Sequence, residues 1–333
     1  MKGESHPIPD IRRHWAPPDC HHRIYTHRMA SPPSPAPLRS SPPAEPGGLP
    51  AVGSGDKSPF FFPQPGTRAV LCLHGFTGTP FEVRPLGESL AARGFTASGP
   101  LLAGHGTSVG DLCKTGHAEW QASAERALLD LVAKVEGPVA IAGFSMGGLL
   151  ALRLARAHPD KVKTLAVMAA PLRLRPFQVS SIRALMKAPA FLRKRAFYAI
   201  PKAGGFDVVD PAAARANPAL RAMPICGVAS LIELGRLVAA DLPAITCPTL
   251  IMHGARDRTV PLEDSFELAG RIGATTIERV WLPRSGHLLC LDVERRLAAQ
   301  AVIEFFLKHL PPEEPARANR APSPPSPKES KSR

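Results

Sequence analysis

The chain has 333 residues, with 41 Lys and Arg against 28 Asp and Glu, a formal charge of +13, 38 prolines and a mean hydropathy of −0.04. That length can bury a substantial core. No apolar run approaches the roughly 20 residues that span a bilayer, and six scattered cysteines exclude a disulfide-stapled secreted miniprotein. A positive excess of this size admits nucleic acid, an anionic membrane surface or an acidic ligand as partner.

The proline and the charge lie in different places. Residues 1–55 hold 12 prolines and residues 311–333 hold seven. Segments so poor in apolar groups cannot offset the entropy of ordering, so 1–56 and 311–333 are predicted to be disordered Pro-rich tails flanking a folded body at 57–310. The first 28 residues carry five histidines and Cys20, but Cys20-His21-His22 with His27 lacks the ligand spacing of a closed zinc site. No metal is expected there, and Met29 is an alternative start. Arg12-Arg13 is not followed by an apolar stretch, so no export signal is supported. With no paired cysteine pattern either, a reducing, cytoplasmic setting is the expectation. Within the body, residues 173–221 hold ten basic side chains against Asp207 and Asp210 alone. The rest of the body is nearly neutral.

In chain order, 69–74 is a short apolar run, as a strand buried on both faces requires. A helix is predicted over 80–93, ended by Gly94, then a strand over 95–100 and a glycine-rich loop to about 116. Trp120, Ala124, Leu128, Leu131 and Val135 fall on one face of the next helix. Strand 138–143, helix 146–158 and strand 162–169 follow. After a gap come helix 227–240, strand 249–254, helix 261–271, strand 276–282 and a last helix from 292, with Val293, Leu297, Ala301 and Phe305 as its stripe. This alternation predicts an α/β protein with a mostly parallel sheet, helices on both faces, and functional loops at the carboxyl ends of the strands.

Two stretches match G-x-S-x-G, around Ser108 and Ser145. A nucleophile turn needs a strand running into it and a helix leaving it, and only Gly143-Phe144-Ser145-Met146-Gly147 has both. Ser108 lies in a loop and is set aside. A serine hydroxyl needs a base to take its proton. Asp257 and His287 follow the next suitable strands in the order Ser…Asp…His, which makes Ser145, Asp257 and His287 the candidate triad, with Asp292 held in reserve as the acid. The N–H of Met146 and that of Phe76, in the loop after strand 69–74, are the candidate oxyanion donors. His74 reads as a structural loop residue.

Leu73-His74-Gly75-Phe76-Thr77-Gly78, Gly104-His105-Gly106, Gly143-Phe144-Ser145-Met146-Gly147, Asp257 and Ser285-Gly286-His287 together resemble the α/β-hydrolase fold, and more narrowly the small-cap bacterial carboxylesterases and monoacylglycerol lipases. The resemblance covers about residues 68–310. It implies the same nucleophile, acid, base and oxyanion donors, no metal or organic cofactor, and a structural part for His105. Phe144 departs from the Leu common at that place in the family.

The resemblance also gives the gap a meaning. Residues 172–226 are far longer than an ordinary connection, and in the family this point carries a small helical cap. Apolar residues there, Phe177, Leu185 and Met186 among them, are candidates for the substrate pocket beside Phe76 and Met146. The basic cap suggests peripheral contact with an anionic lipid surface, whereas no nucleic-acid-reading motif accompanies the charge. The expected reaction is hydrolysis of short- to medium-chain acyl esters or monoacylglycerols. Thioester, amide or carbon–carbon bond hydrolysis on the same triad, or a noncatalytic binding protein on this fold, are the alternatives.

Overall fold

The computed structural model describes residues 55–173, 199–202 and 204–310. The first strand, β1 (Phe60–Phe62), was not foreseen, because three aromatic residues carry no readable period. Phe60 is nonetheless deeply buried. Its ring lies over Gly87 and Gly99, where a side chain on either would collide with it.

The elements that follow are β2 (Ala69–Leu73), α1 (Arg84–Ala91), β3 (Thr96–Gly99), α2 (Val109–Cys113), α3 (His117–Val135), β4 (Val139–Phe144), α4 (Met146–Ala157) and β5 (Val162–Met168). Next come β6 (Ala199–Pro201), α5 (Pro211–Ala216), β7 (Ala222–Pro224), α6 (Ile225–Asp241), β8 (Thr249–Gly254), α7 (Glu263–Arg271), β9 (Ile277–Leu282) and α8 (Arg295–His309). Seven strands form one sheet in the order β1-β3-β2-β4-β5-β8-β9; β1 is antiparallel to β3 and every other pair is parallel.

The continuous apolar runs are explained by burial on both sides. Alternate residues of a strand face opposite ways, and here Val70, Cys72, Ala140 and Ala142 meet α1 and α8 while Leu71, Leu73 and Ile141 meet α3, α4 and α6. Register keeps the carboxyl ends level: Leu73 pairs with Gly143, Phe144 with Met168, Met168 with Met252 and Gly254 with Leu282. The loops after β2, β4, β8 and β9 therefore open onto one rim.

Several local expectations need correction. The helix expected over 80–93 is a 3₁₀ turn, Pro80–Glu82, followed by α1. The loop expected to run to 116 contains α2, whose N-cap is Ser108: its hydroxyl accepts from the Asp111 N–H at 3.1 Å. The last helix begins at Arg295, and Val293 and Leu297 are 43% and 49% exposed. From that stripe Phe305 is buried, and it faces the sheet with the neighbouring Ala298, Ala299, Val302, Ile303 and Phe306. Periodicity marks an apolar stripe but not which edge of it meets the core.

The cysteine expectation is also overturned. Cys113 at the end of α2 and Cys226 in the first turn of α6 form a disulfide with Cα atoms 5.7 Å apart, though 113 residues separate them in sequence. Spacing could not reveal a pair made by packing two distant helices, and the case for a reducing compartment built on unpaired cysteines falls away. Closing so long a loop restricts the unfolded chain, so Cys226→Ser is expected to lower the unfolding free energy by about 2–4 kcal/mol. Urea denaturation of the two proteins under oxidising conditions measures this, and an unchanged midpoint would contradict the pairing. No helix among the described residues is long and apolar enough to cross a membrane.

Candidate active site

The turn between β4 and α4 holds Ser145 at φ 53°, ψ −118°, a conformation that side chains rarely adopt. Strain of this kind costs on the order of 1–3 kcal/mol and survives only where the surroundings impose it. The surroundings here are tight: a Cβ on Gly143 would run into the Gly147 carbonyl, and one on Gly147 into the carbonyls of Leu73 and His74. The two glycines let α4 start directly behind the strand and press its first turn against the end of β2. The Ser145 N–H donates to the Met168 carbonyl at 2.8 Å, carrying the β4–β5 ladder into the turn.

The structure brings the three candidate side chains into one line. His287 Nε2 lies 3.1 Å from Ser145 Oγ, and His287 Nδ1 lies 2.8 Å from Asp257 Oδ2. Asp257 Oδ1 accepts from the N–H groups of Thr259 and Val260, both at 2.8 Å, so the carboxylate is fixed at both oxygens. A further histidine stands behind it: the fully buried His253 has Nε2 3.1 Å from Asp257 Oδ2 and 3.1 Å from the Val260 carbonyl. Both neighbours of Nε2 are acceptors, so Nε2 carries the proton, and Nδ1 meets the Ser265 hydroxyl at 2.6 Å. Sequence reading missed His253. Its signal was a histidine four residues before the acid, next to last in a buried strand.

Burial works against charge on Asp257, but His287, the hydrogen bond from His253 and the backbone donors win, and the carboxyl is held far below the usual range. Burial likewise opposes the His287 imidazolium, yet Asp257, with help from Asp207 and Glu82, raises the imidazole above its ordinary 6.5. Only the neutral imidazole can accept the serine proton. The kcat/KM profile is therefore expected to rise with pH along a limb whose midpoint lies above 6.5. The stability linked to His287 runs the other way: complete below the unfolded value, it is lost as pH rises through the folded one. An acid-limb midpoint at or below 6.5 in the pH–rate profile would contradict the assignment.

The two candidate oxyanion donors lie in the loop after β2 and at the start of α4. Met146 is the first residue of α4, and among the described residues neither its N–H nor that of Phe76 has an acceptor. The Phe76 ring packs against Trp120, with centroids 5.5 Å apart, and over Gly227 of α6, where a Cβ would meet it at 2.5 Å. Phe144, the residue that departs from the family pattern, has its ring 4.9 Å from the His287 imidazole and its edge against Gly75. It fills the space between His287 and the loop after β2.

Acidic residues outside the candidate triad hold the loops in place. Asp207 binds both triad loops: Oδ2 accepts from the Arg258 N–H at 2.7 Å and the Thr259 hydroxyl at 2.9 Å, while its carbonyl accepts from the His287 N–H at 3.0 Å. Asp292, the reserve acid, is engaged elsewhere. It accepts from the backbone of Val209, Asp210, Val293 and Gly286, tying the end of the insertion to the histidine loop. Glu294 accepts from the Arg284 N–H and the Ser285 hydroxyl. A sign of the first was visible: Asp207 and Asp210 are the two acids in a segment otherwise basic.

His74 and His105 are buried and held neutral, pushed down to about 3 and about 4, chiefly by burial. Both His74 nitrogens face backbone groups, the Gly75 carbonyl and the Leu102 N–H. Among the described residues, no cluster of three or more His, Cys, Asp or Glu is placed to hold a metal ion. Phe177, Leu185 and Met186 lie outside the described residues, as do six of the ten basic side chains of 173–221, the C-terminal tail and all of the N-terminal tail but residues 55 and 56. Of the other four, Lys202 is turned inward and Arg173 pairs with Glu267, while Arg215 and Arg221 are exposed.

A profile of the Hydrolase_4 family, described as serine aminopeptidase, S33, matches residues 64–294. The chain belongs to the Hydrolase_4 family. Among its Hydrolase_4 relatives and lookalikes, it is 34% identical to a thermostable monoacylglycerol lipase of Bacillus sp. (strain H-257), over 75% of this chain and 94% of that one. It is 28% identical to a carboxylesterase of Bacillus subtilis (strain 168), over 75% and 96%. A solved structure reported with LipS and LipT, two metagenome-derived lipolytic enzymes, superposes with a TM-score of 0.69 at 28% identity, covering 76% of this chain and 98% of that one. This member of Hydrolase_4 has the α/β-hydrolase fold and is a serine ester hydrolase.

Proposed function

We propose that this hydrolase cleaves short- to medium-chain acyl esters or monoacylglycerols through an acyl-enzyme on Ser145. The observation that carries the reading is the hydrogen-bond line from Asp257 through His287 to Ser145 Oγ, on a strained turn at the sheet's carboxyl rim. Ser145 Oγ attacks the ester carbonyl carbon and its proton passes to His287 Nε2. The carbonyl electron pair moves onto oxygen, where the N–H groups of Phe76 and Met146 receive it. Collapse of the tetrahedral species expels the alcohol, which takes the Nε2 proton. Water then repeats the sequence on the acyl-enzyme, releasing the acid and restoring the serine. Asp257 keeps the imidazole in its working tautomer and stabilises its cation throughout, and this route uses no metal or organic cofactor.

The monoacylglycerol lipase and carboxylesterase among the relatives support the substrate class. The test is a panel of p-nitrophenyl esters from acetate to laurate, monoacylglycerols, an acyl thioester and an aminoacyl anilide. Turnover of esters and monoacylglycerols with little on the anilide supports the proposal, and preference for the anilide overturns it. The basic insertion further suggests delivery from an anionic lipid surface. Rates on monoacylglycerol in anionic vesicles are expected to exceed those in neutral ones and to fall with salt; equal rates at low ionic strength reject that part.

A further inference from the structure

The loop carrying the Phe76 N–H is held on almost every side. The Gly75 N–H donates to Glu82 Oε2 at 3.0 Å. The Gly75 carbonyl, which shares its peptide unit with the Phe76 N–H, accepts from His74 Nδ1 at 2.9 Å and the Gly78 N–H at 3.2 Å. Thr77 sits in the left-handed region at φ 65° and is buried; its hydroxyl donates to the Phe76 carbonyl at 2.5 Å.

Two of the restraints come from the insertion. Strands β6 and β7 pair as a two-stranded antiparallel ribbon, with Ile200 opposite Met223. Just past β6, the Lys202 N–H donates to the Arg221 carbonyl at 2.8 Å, which binds the middle of the insertion to its C-terminal part. From this base, Lys202 Nζ donates to Thr77 Oγ1 at 2.6 Å and the Leu220 N–H donates to the Thr77 carbonyl at 3.0 Å.

We propose that Lys202 is a positioning residue for the oxyanion hole: through Thr77, and opposite the buried carboxylate of Glu82, it sets the Phe76 N–H and so couples the base of the insertion to transition-state stabilisation. This rests on the assignment of Phe76 as an oxyanion donor. Turning a lysine inward removes part of the water around its charge, which is costly unless it is compensated. Glu82 supplies the compensation. Burial pushes the Glu82 carboxyl up and the Lys202 amine down, and each opposes the shift on the other. The pair therefore braces the loop from two sides, Glu82 on Gly75 and Lys202 on Thr77, and leaves the N–H between them free for the substrate oxygen. Loss of an oxyanion donor outright costs about 100–1,000-fold in kcat, and a donor displaced rather than lost is expected to cost about 10–100-fold.

The test measures kcat and KM on a p-nitrophenyl ester for Lys202→Met, Lys202→Arg, Glu82→Gln/Lys202→Met and Ser145→Ala, each with a melting curve and the rate of labelling by a fluorophosphonate. Lys202→Met is expected to lower kcat and the labelling rate together, with KM changed less than about threefold, and Lys202→Arg to recover part of the loss. The double variant is expected to exceed Lys202→Met in kcat, because it removes the uncompensated carboxylate. A Lys202→Met enzyme with kcat within about threefold of wild type, a loss confined to KM, or a double variant no better than the single overturns the proposal. If Lys202→Met does not fold, Thr77→Ala decides: it removes the acceptor of Lys202 together with the hydroxyl's bond to the Phe76 carbonyl, and an unchanged kcat overturns the proposal. An active Ser145→Ala enzyme would instead sink the triad assignment, so the two failures are told apart.

Discussion

Ser145→Ala is expected to lower kcat by about a millionfold, with KM and the melting temperature close to wild type. The size follows from the unit character of a triad: once the nucleophile is gone, the base and acid have no proton to move, and removing the nucleophile or the base alone costs nearly as much as removing all three. What remains is the contribution of binding and the oxyanion donors to direct attack by water. Stability should change little, because alanine keeps the Cβ that already tolerates φ 53° and the backbone bond to the Met168 carbonyl is untouched. Labelling by a fluorophosphonate should vanish with activity. Labelling that persists, or a kcat within about tenfold of wild type, would place the nucleophile elsewhere.

Asp257→Asn is expected to cost about 10,000-fold in kcat, whereas Asp292→Asn should act mainly on stability. An asparagine presenting its amide nitrogen to His287 Nδ1 would donate where the carboxylate accepts, forcing the proton onto Nε2 and blocking the path from Ser145. It would also remove the charge that raises the imidazole above its ordinary value, and with it the partner of His253. Asp292 takes four backbone donors and none from the His287 ring. Substituting it leaves at least one buried donor facing another donor, at a cost of about 1–3 kcal/mol each. The comparison is read from kcat and from denaturation midpoints of both variants. An Asp257→Asn enzyme with near-normal kcat would transfer the acid's role to another residue.

The sequence carried the parts of this site that depend on local order. A strand that runs into Gly-x-Ser-x-Gly and out into a helix can be read from one stretch, because the glycines that the close approach of α4 demands are neighbours of the serine itself. The order Ser145, Asp257, His287 was legible for the same reason: each side chain follows the strand that holds it. The residues behind them were not. His253 reads as one more residue of a buried strand until Asp257 folds back onto it. Glu82, in a turn of apolar neighbours, shows no link to Lys202, which is 120 positions away. Nor does any spacing pattern pair Cys113 with Cys226, which the fold joins in a disulfide.

By itself the sequence determined the strand–helix alternation, the sharp turn at Ser145 and the rim on which the triad lies, since hydrophobic period and glycine placement are properties of neighbouring residues. Only the tertiary structure decided what the insertion does at its base. Counted along the chain, Lys202, Asp207 and Asp210 were contributions to a net charge. In the fold, Lys202 reaches Thr77 in the loop after β2, Asp207 binds the loops of Asp257 and His287, and the Asp210 N–H is held by Asp292. A charge becomes a contact only when packing excludes water from around it, and that exclusion is made by segments that meet in space and not in sequence.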